Sequence, residues 1–167
     1  MGVDSLGTLP AGIDIFLDAN VFIYGFGGQS RQCLDLLFRC AREEVYGVTT
    51  IEVINEVTHR LMLAEALATG VIRRARAQDL RGKTETIRQL SQYWAHVDKI
   101  FSLNILILKP DESRLHRART MRSRHGVLTT DSLILAAMDE YGVGSLATRD
   151  SDFDHVPSLT VYKPTDI

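Results

Sequence analysis

Short apolar runs alternate along the chain with longer stretches of helical periodicity. Apolar residues on both sides of Asp18, from Ile13 to Ile23, are typical of a buried parallel strand that leads into a loop. The other predicted strands cover residues 45–48, 105–108, 145–148 and 159–162. Helices are predicted over residues 29–43, 50–67, 71–80, 84–103, 111–125 and 130–141.

This alternation predicts an α/β fold, in which a mainly parallel sheet of about five strands is flanked by helices. Residues 1–12 are expected to be a loose N-terminal leader, and residues 13–167 a single domain. Open sheets of this class bind ligands beyond the carboxyl ends of their strands. Polar residues at those positions are therefore the candidates for a functional site.

The composition is ordinary for a globular protein, with 45% hydrophobic and 24% charged residues in a chain of 167. No apolar run reaches the roughly 18 residues that a membrane helix needs, and residues 1–12 lack the basic start of a signal peptide. We therefore expect a cytoplasmic protein without membrane contact. Cys33 and Cys40 lie too far apart on one predicted helix for a disulfide and are interpreted as buried apolar residues.

The net charge of −2 predicts no general affinity for nucleic acid, but the basic residues are unevenly distributed. From charge alone, a solvated helix face is the simpler interpretation of an arginine run. Two segments are rich in arginine: Arg73, Arg74, Arg76 and Arg81 in one, and Arg114, Arg117, Arg119, Arg122 and Arg124 in the other.

Two aspartates occupy positions where an ionised carboxylate would need an ion-pair, hydrogen-bond or metal partner. Asp18 ends the most apolar strand, with Asn20 two residues further on; either residue could instead only cap a following helix. On a helical wheel Asp131 falls between Met138 and Leu135, on the apolar face. An ionised carboxylate facing inward is costly unless it is paired or binds a metal, although a capping role at the helix start would offset part of that cost.

Two further segments supply carboxylates. Glu56 lies beside the apolar stripe of its predicted helix, while Glu52 faces further into solvent; an exposed ion pair with Arg60 is the alternative for Glu56. Asp150 ends a strand, and Asp152 and Asp154 follow in alternation, as in an Asx-rich turn. A calcium loop is rejected there, because its sixth and twelfth positions are His155 and Val161.

These segments would bring four carboxylates to strand ends and helix starts of one sheet. Four converging carboxylates cannot all ionise without a cation, because their repulsion raises some of the pKa values. Mg²⁺ or Mn²⁺ fits an all-oxygen site, and such sites support phosphoryl chemistry. The sequence therefore predicts a metal-dependent enzyme acting on phosphate esters.

The motifs around these carboxylates resemble those of the PIN-domain family, in the family's order and over the chain from about Ile13 to its C-terminus. They cover residues 16–24, 49–57, 129–137 and 148–153. Many stand-alone members are VapC-type toxins of toxin–antitoxin pairs. The resemblance therefore implies an Mg²⁺-dependent endoribonuclease that leaves 3′-hydroxyl and 5′-phosphate ends, forms a homodimer and is inhibited by a cognate antitoxin.

The resemblance also implies roles for individual residues. The catalytic carboxylates would be Asp18, Glu56, Asp131 and Asp150, of which Asp18, Asp131 and Asp150 would hold the metal. Asp152 competes with Asp150 for its place, and Asn20 or Thr130 would orient the cluster. Arg114, Arg117 and Arg122 could hold the RNA backbone. The helical stretch 71–103 is longer than in compact toxin members of the family.

Other classes of protein share parts of this pattern. A small phosphatase commonly needs a second aspartate two residues after the first, where this chain has Asn20. A receiver domain needs a lysine at a late strand end, and residues 145–149 contain none. The alternatives are a PIN-domain nuclease that is not a toxin, an RNA-processing or RNA-binding module on the same fold, and another Mg²⁺-dependent phosphotransfer enzyme.

Overall fold

A single sheet of six parallel strands forms the centre of the computed structural model, which describes residues 2–167. The strands are β1 (Val3–Ser5), β2 (Asp14–Leu17), β3 (Tyr46–Thr50), β4 (Leu106–Leu108), β5 (Ser145–Ala147) and β6 (Thr160–Lys163). Their order across the sheet is β1-β6-β5-β2-β3-β4, and every neighbouring pair is parallel. The α/β class and the parallel sheet predicted from the sequence are confirmed.

Helices flank this sheet: α1 (Ala19–Phe26), α2 (Arg31–Ala41), α3 (Ile51–Ala68), α4 (Ala77–Leu80), α5 (Thr84–Gln89), α6 (Gln92–Ile100), α7 (Glu112–His125) and α8 (Thr129–Tyr141). Local capping fixes several of their ends. The Ser30 and Thr50 side chains accept N–H bonds at the starts of α2 and α3, and left-handed Gly126 and Gly142 end α7 and α8. Among residues 2–167 no helix combines the length and hydropathy that crossing a membrane requires.

The main core lies around β2, whose Ile15, Phe16 and Leu17 are fully buried. Burial on both faces explains why this strand is a continuous apolar run in the sequence. Cys33 and Cys40 are free and buried in α2, as predicted. Burial raises the pKa of each thiol to about 11, so both remain neutral at physiological pH.

The N-terminal segment differs from the prediction. Val3–Ser5 pairs in parallel with Val161–Lys163 of β6, and Leu6 and Leu9 are buried. Residues 3–9 are therefore not a loose leader. They add a sixth strand by pairing with β6, a contact between distant parts of the chain that the local sequence pattern does not reveal. Met1 of the predicted leader lies outside the described residues.

Two apolar stretches also differ from the prediction. Residues 21–23, interpreted as part of a strand and loop, belong to helix α1. The predicted helices 71–80 and 84–103 are shorter, because only α4, α5 and α6 form there. Ile72, Leu80 and Leu90 do not lie along one face of a long helix. They pack with Leu63 and Ala66 of α3 in a small second core.

Candidate active site

A cavity of about 480 Å³ opens at the carboxyl edge of the sheet, where the neighbouring strands β5, β2 and β3 end. It brings together all four carboxylates predicted to be catalytic, with the three secondary candidates. Its lining consists of Asp18, Asn20, Glu56, Arg60, Leu128, Thr129, Thr130, Asp131, Asp150 and Asp152.

Asp18 is the most buried of these carboxylates, with 9% of its surface exposed. It follows β2 directly, and it both caps α1 and lines the cavity. Its Oδ1 accepts a hydrogen bond from the Ala19 N–H at 2.6 Å. Its Oδ2 accepts from Asn20 Nδ2 and from the Thr148 hydroxyl, each at 2.6 Å. One Oδ1 lone pair therefore remains to face a ligand.

Thr148 is a positioning residue that the sequence analysis did not single out. It is fully buried, and while its hydroxyl donates to Asp18 it accepts from Asn20 Nδ2 and from the Asp150 N–H, both at 3.0 Å. All hydrogen-bonding positions of the hydroxyl are thus used. Asn20 Oδ1 accepts from the Arg149 N–H at 3.1 Å. These bonds tie the end of β5 to the start of α1.

Glu56 reaches the cavity from the second turn of α3. Glu56 lines the cavity, and its Oε1 also lies 3.7 Å from Arg60 Nη1, so the ion pair does not remove it from the cavity. Both side chains are well exposed, so this pair contributes little stability. Glu52 differs from the expectation of a solvent-facing side chain: its Oε2 is buried and has no hydrogen-bond partner among the described residues.

Asp131 and Thr130 reach the cavity from the first turn of α8. The helix predicted to begin at Thr130 begins one residue earlier, at Thr129, and its capping residue, Leu128, makes no side-chain hydrogen bond. Asp131 is half-buried, consistent with its place on the apolar face of the wheel.

The acidic run after β5 divides between two places. Asp150 and Asp152 line the cavity, and Asp150 Oδ1 accepts the Asp152 N–H at 2.9 Å, as in an Asx turn. Asp154 does not line the cavity; its Oδ2 lies 2.7 Å from Lys163 Nζ. Two of the three aspartates in this run, Asp150 and Asp152, therefore lie at the cavity.

Burial, together with neighbouring negative charge, raises the pKa of two carboxyl groups in the cavity. Burial raises the pKa of Asp18 to about 6; the Glu56 and Asp150 charges add to this, against the hydrogen bonds from Thr148 and Ala19. Burial also raises the pKa of Asp131, with further contributions from Asp150, Asp152 and Glu56. Both shifts mark the place where a positive charge would be stabilised most.

The donor chemistry of the cavity fits a hard divalent cation. Its side chains offer carboxylate, amide and hydroxyl oxygens, which Mg²⁺ and Mn²⁺ prefer, and it has no sulfur or imidazole in its lining. Among residues 2–167, no three acidic, histidine or cysteine side chains are already arranged as a complete set of ligands. The carboxylates that line the cavity are Asp18, Glu56, Asp131, Asp150 and Asp152.

The arginines predicted to hold RNA do not line this cavity. Arg114 is buried, with Nε 3.1 Å from Glu140 Oε2 and Nη1 donating to the Lys109 carbonyl oxygen, so the prediction that it contacts RNA is wrong. Arg117 lies 4.0 Å from Glu140, and Arg122 donates to Ser132 Oγ at 2.9 Å. Roles for Arg117 and Arg122 in RNA binding stay predictions.

Replacing Arg114 with Ala is expected to lower the free energy of unfolding by about 2 kcal/mol. The change leaves the Glu140 carboxylate without its main partner, and partial exposure of Glu140 lets water compensate in part. Urea unfolding measures the difference. Arg119→Ala, which removes an exposed arginine of the same helix, is the control and is expected to change the stability by less than about 0.5 kcal/mol. Equal effects of both substitutions would contradict the structural role of Arg114.

The fold and the acidic cavity together define a PIN domain, and comparison with known families agrees. The PIN domain family model matches residues 15–159, which is most of the chain. The chain belongs to the PIN-domain family.

Its relatives include proteins of the VapC group. Ribonuclease VapC6 of Methanocaldococcus jannaschii is 25% identical over 158 residues, covering 90% of this chain and 97% of the relative. The fold is similar to that in the VapBC2 complex of Rickettsia felis bound to promoter DNA, with a TM-score of 0.59, 14% identity and coverage of 90% and 98%. It is also similar to VapC20 of Mycobacterium tuberculosis, described as a sarcin-ricin loop cleaving toxin, with a TM-score of 0.54, 16% identity and coverage of 83% and 92%.

Proposed function

We propose that this protein is a divalent-metal-dependent endoribonuclease and the toxin of a toxin–antitoxin pair. The observation that carries the proposal is the cavity into which four separate segments of a PIN domain deliver Asp18, Glu56, Asp131 and Asp150. Similarity along nearly the whole chain to a relative named Ribonuclease VapC6 supports RNA as the substrate. Purified protein should cut single-stranded RNA in Mg²⁺ or Mn²⁺ and not in EDTA.

In this proposal Asp18, Asp131 and Asp150 hold the ion, and Glu56 completes the acidic shell. A bound divalent ion supplies positive charge to the phosphate and lowers the pKa of a water ligand. Thr148 and Asn20 fix the Asp18 carboxylate and leave one Oδ1 lone pair free. Asp150, whose N–H is held by Thr148, takes its position from the same network.

The cations nearest the cavity are better placed to hold RNA than those of α7. Arg60 lines the cavity itself, and a neighbouring hollow is lined by Arg60, Arg149 and Tyr24 together with Asn20 and Asp150. The Arg149 guanidinium lies 5.8 Å from the centroid of the Tyr24 ring. We assign to Arg60 and Arg149 the phosphates that flank the cleaved bond, since phosphate contacts position a strand without reading its sequence.

Partners of this chain are part of the same proposal. Structures with TM-scores of 0.59 and 0.54 come from the Rickettsia felis VapBC2 complex and from a toxin–antitoxin complex of Klebsiella pneumoniae, which supports a cognate antitoxin for this chain. A homodimer is expected as well. Light scattering of the protein, alone and co-expressed with the product of an adjacent gene, tests both assemblies.

Divalent metal is expected to raise the melting temperature of the wild-type protein by roughly 5–10 °C at about 100 times the dissociation constant. Binding to the native state alone then adds about 2.7 kcal/mol, and each kcal/mol shifts the melting temperature by about 2–4 °C for a domain of this size. A thermal-shift assay with Mn²⁺ or Mg²⁺ measures this, with Asp131→Asn as the comparison. A shift of the same size in Asp131→Asn would place the ion elsewhere.

A further inference from the structure

We propose that residues 73–81, here called the basic segment, form a second surface that binds the phosphate backbone of the RNA outside the acidic cavity. The inference rests on the proposed function and adds to it a place where the substrate strand is held. The segment carries Arg73, Arg74, Arg76 and Arg81 against one acidic residue, Asp79, so its net charge is +3 in a chain of net charge −2.

The four arginines of the basic segment are exposed and unpaired. Among residues 2–167, none of their guanidinium groups forms an ion pair or a hydrogen bond. Other arginines of this chain do pair: Arg31 with Asp35, Arg88 with Glu85 and Arg114 with Glu140. Each unpaired guanidinium keeps five N–H donors for a ligand, in a geometry that suits phosphate oxygens.

The basic segment is held in place at both ends. Ile72 and Leu80, on either side of residues 73–79, are 3% and 4% exposed and belong to the small second core. Just beyond the segment, Lys83 Nζ donates to the Val71 carbonyl oxygen at 2.7 Å, which closes the loop. The arginines are therefore presented by an anchored loop, and less ordering entropy is lost on binding.

Helix α3 leads from the cavity to the basic segment. Glu56 and Arg60 line the cavity, and Ala68 ends the helix about 18 Å from Glu56 at 1.5 Å per residue. The exposed residues of α3 beyond Arg60 are Ala64, Leu67 and Ala68, which carry no charge. The Glu65 carboxylate accepts the N–H groups of Ser91 and Tyr93 instead of facing this surface. A strand that ran from Arg60 along this face of α3 toward the basic segment would therefore meet no carboxylate of the helix.

The chemistry of the basic segment favours RNA over a membrane surface. An acidic cavity and a negative chain repel a polyanion, so cations outside the cavity must supply the affinity. The exposed residues of the segment are arginine, alanine and glutamine, and the segment exposes no aromatic or large aliphatic side chain. Insertion into a lipid interface needs such an apolar face. The basic segment therefore has the cationic side chains of a membrane anchor but not the apolar side chains that would enter the lipid.

The test compares two variants with the same reduction in charge. The segment variant carries Arg73→Gln, Arg74→Gln, Arg76→Gln and Arg81→Gln, and the control variant carries Arg31→Gln, Arg42→Gln, Arg119→Gln and Arg124→Gln. Binding of a single-stranded RNA is measured over a salt series, in the Asp131→Asn background. The RNA is longer than the roughly 4–16 nucleotides that one OB-fold single-strand-binding domain covers. Cleavage of the same RNA is measured with Asp131 intact, and circular dichroism confirms folding.

We expect the segment variant to bind RNA at least about 10-fold more weakly near 150 mM salt. The slope of log K against log salt should fall by about 3, because each phosphate that the four arginines no longer neutralise removes about 0.7 from it. The KM of the segment variant should rise while kcat is kept. The affinity of the control variant should decrease by less than about threefold. A matching variant with lysine at the four segment positions should retain binding, because the charge is kept.

Several outcomes would overturn the inference. Equally weakened binding in the segment and control variants would show a general charge effect, and weakened binding in the lysine variant as well would show that charge is not the cause. Wild-type affinity and KM in the segment variant, with metal-dependent cleavage intact, would overturn the basic segment and leave the proposed function standing. If the wild-type protein neither binds nor cuts RNA, the proposed function itself fails.

Discussion

The Asp18→Asn protein is expected to keep its fold and to cleave RNA about 10³-fold more slowly. Neutralising Asp18 removes the charge of a proposed metal ligand, which is the most buried carboxylate of the cavity. A metal contributes several kcal/mol of charge stabilisation to a phosphoryl transition state, and each step of about 1.4 kcal/mol is tenfold in rate. The asparagine side chain keeps an oxygen that can accept the Ala19 N–H, so the start of α1 is retained. Single-turnover cleavage in Mg²⁺ and Mn²⁺ measures the decrease in rate.

Asp154→Asn is the matched control for this experiment. Asp154 belongs to the same acidic run as Asp150 and Asp152, but it pairs with Lys163 and does not line the cavity. Cleavage by Asp154→Asn should stay within about twofold of the wild type, since surface changes of this kind act by small amounts. Unfolding of Asp18→Asn would show a structural role for Asp18, and wild-type activity in a folded Asp18→Asn would remove Asp18 from the active site.

The stability of the metal-free protein is expected to fall by about 3 kcal/mol between pH 4 and pH 7 because of Asp18. Its pKa in the folded state is about 6, above the ordinary value of 3.8. Below pH 4 both states hold the proton; between the two values only the folded state holds it, so rising pH favours unfolding. Above about pH 6 both states are ionised and the decrease in stability is complete. A shift of about two pKa units corresponds to about 3 kcal/mol. The raised pKa of Asp131 acts in the same direction.

Urea unfolding in EDTA at pH 4 and pH 7 measures this effect in wild type and in Asp18→Asn. The variant lacks the titrating group, so its stability relative to wild type should increase by about 3 kcal/mol from pH 4 to pH 7. Adding Mn²⁺ at pH 7 should restore stability to the wild type alone. Parallel pH profiles for the two proteins would contradict a strained, ionised Asp18 in the native cavity.

Local patterns in the sequence predict those parts of the molecule that local forces determine. Apolar runs locate β2 to β6 within a few residues, and the predicted helices 50–67 and 111–125 match α3 and α7 to within one residue at each end. The wheel position of Asp131 and the strand-end position of Asp18 brought both into the candidate site. The same reasoning placed Glu56 beside the apolar stripe of α3, and it lines the cavity.

The features that the sequence did not predict depend on contacts between distant parts of the chain. β1 exists because Val3–Ser5 pairs with β6 at the other end of the chain. The sequence pattern does not distinguish Arg114 from its exposed arginine neighbours, because its environment depends on the ion pair with Glu140 of the next helix. Thr148 becomes a positioning residue through its bond to Asp18, 130 positions away. A short apolar run such as residues 21–23 fits a strand or a buried helix equally well, and packing decides between them.

The proposed nuclease activity is tested directly by RNA cleavage with the purified wild-type protein and with Asp131→Asn. A mixed pool of RNA is incubated with each protein in Mg²⁺, in Mn²⁺ and in EDTA, and the products are resolved and their ends identified. We expect the wild type to cut RNA in either metal and to leave 5′-phosphate ends, and we expect no cutting in EDTA or by Asp131→Asn. Cutting that persists in EDTA or in Asp131→Asn, or none by the wild type with metal bound, would contradict the proposed activity.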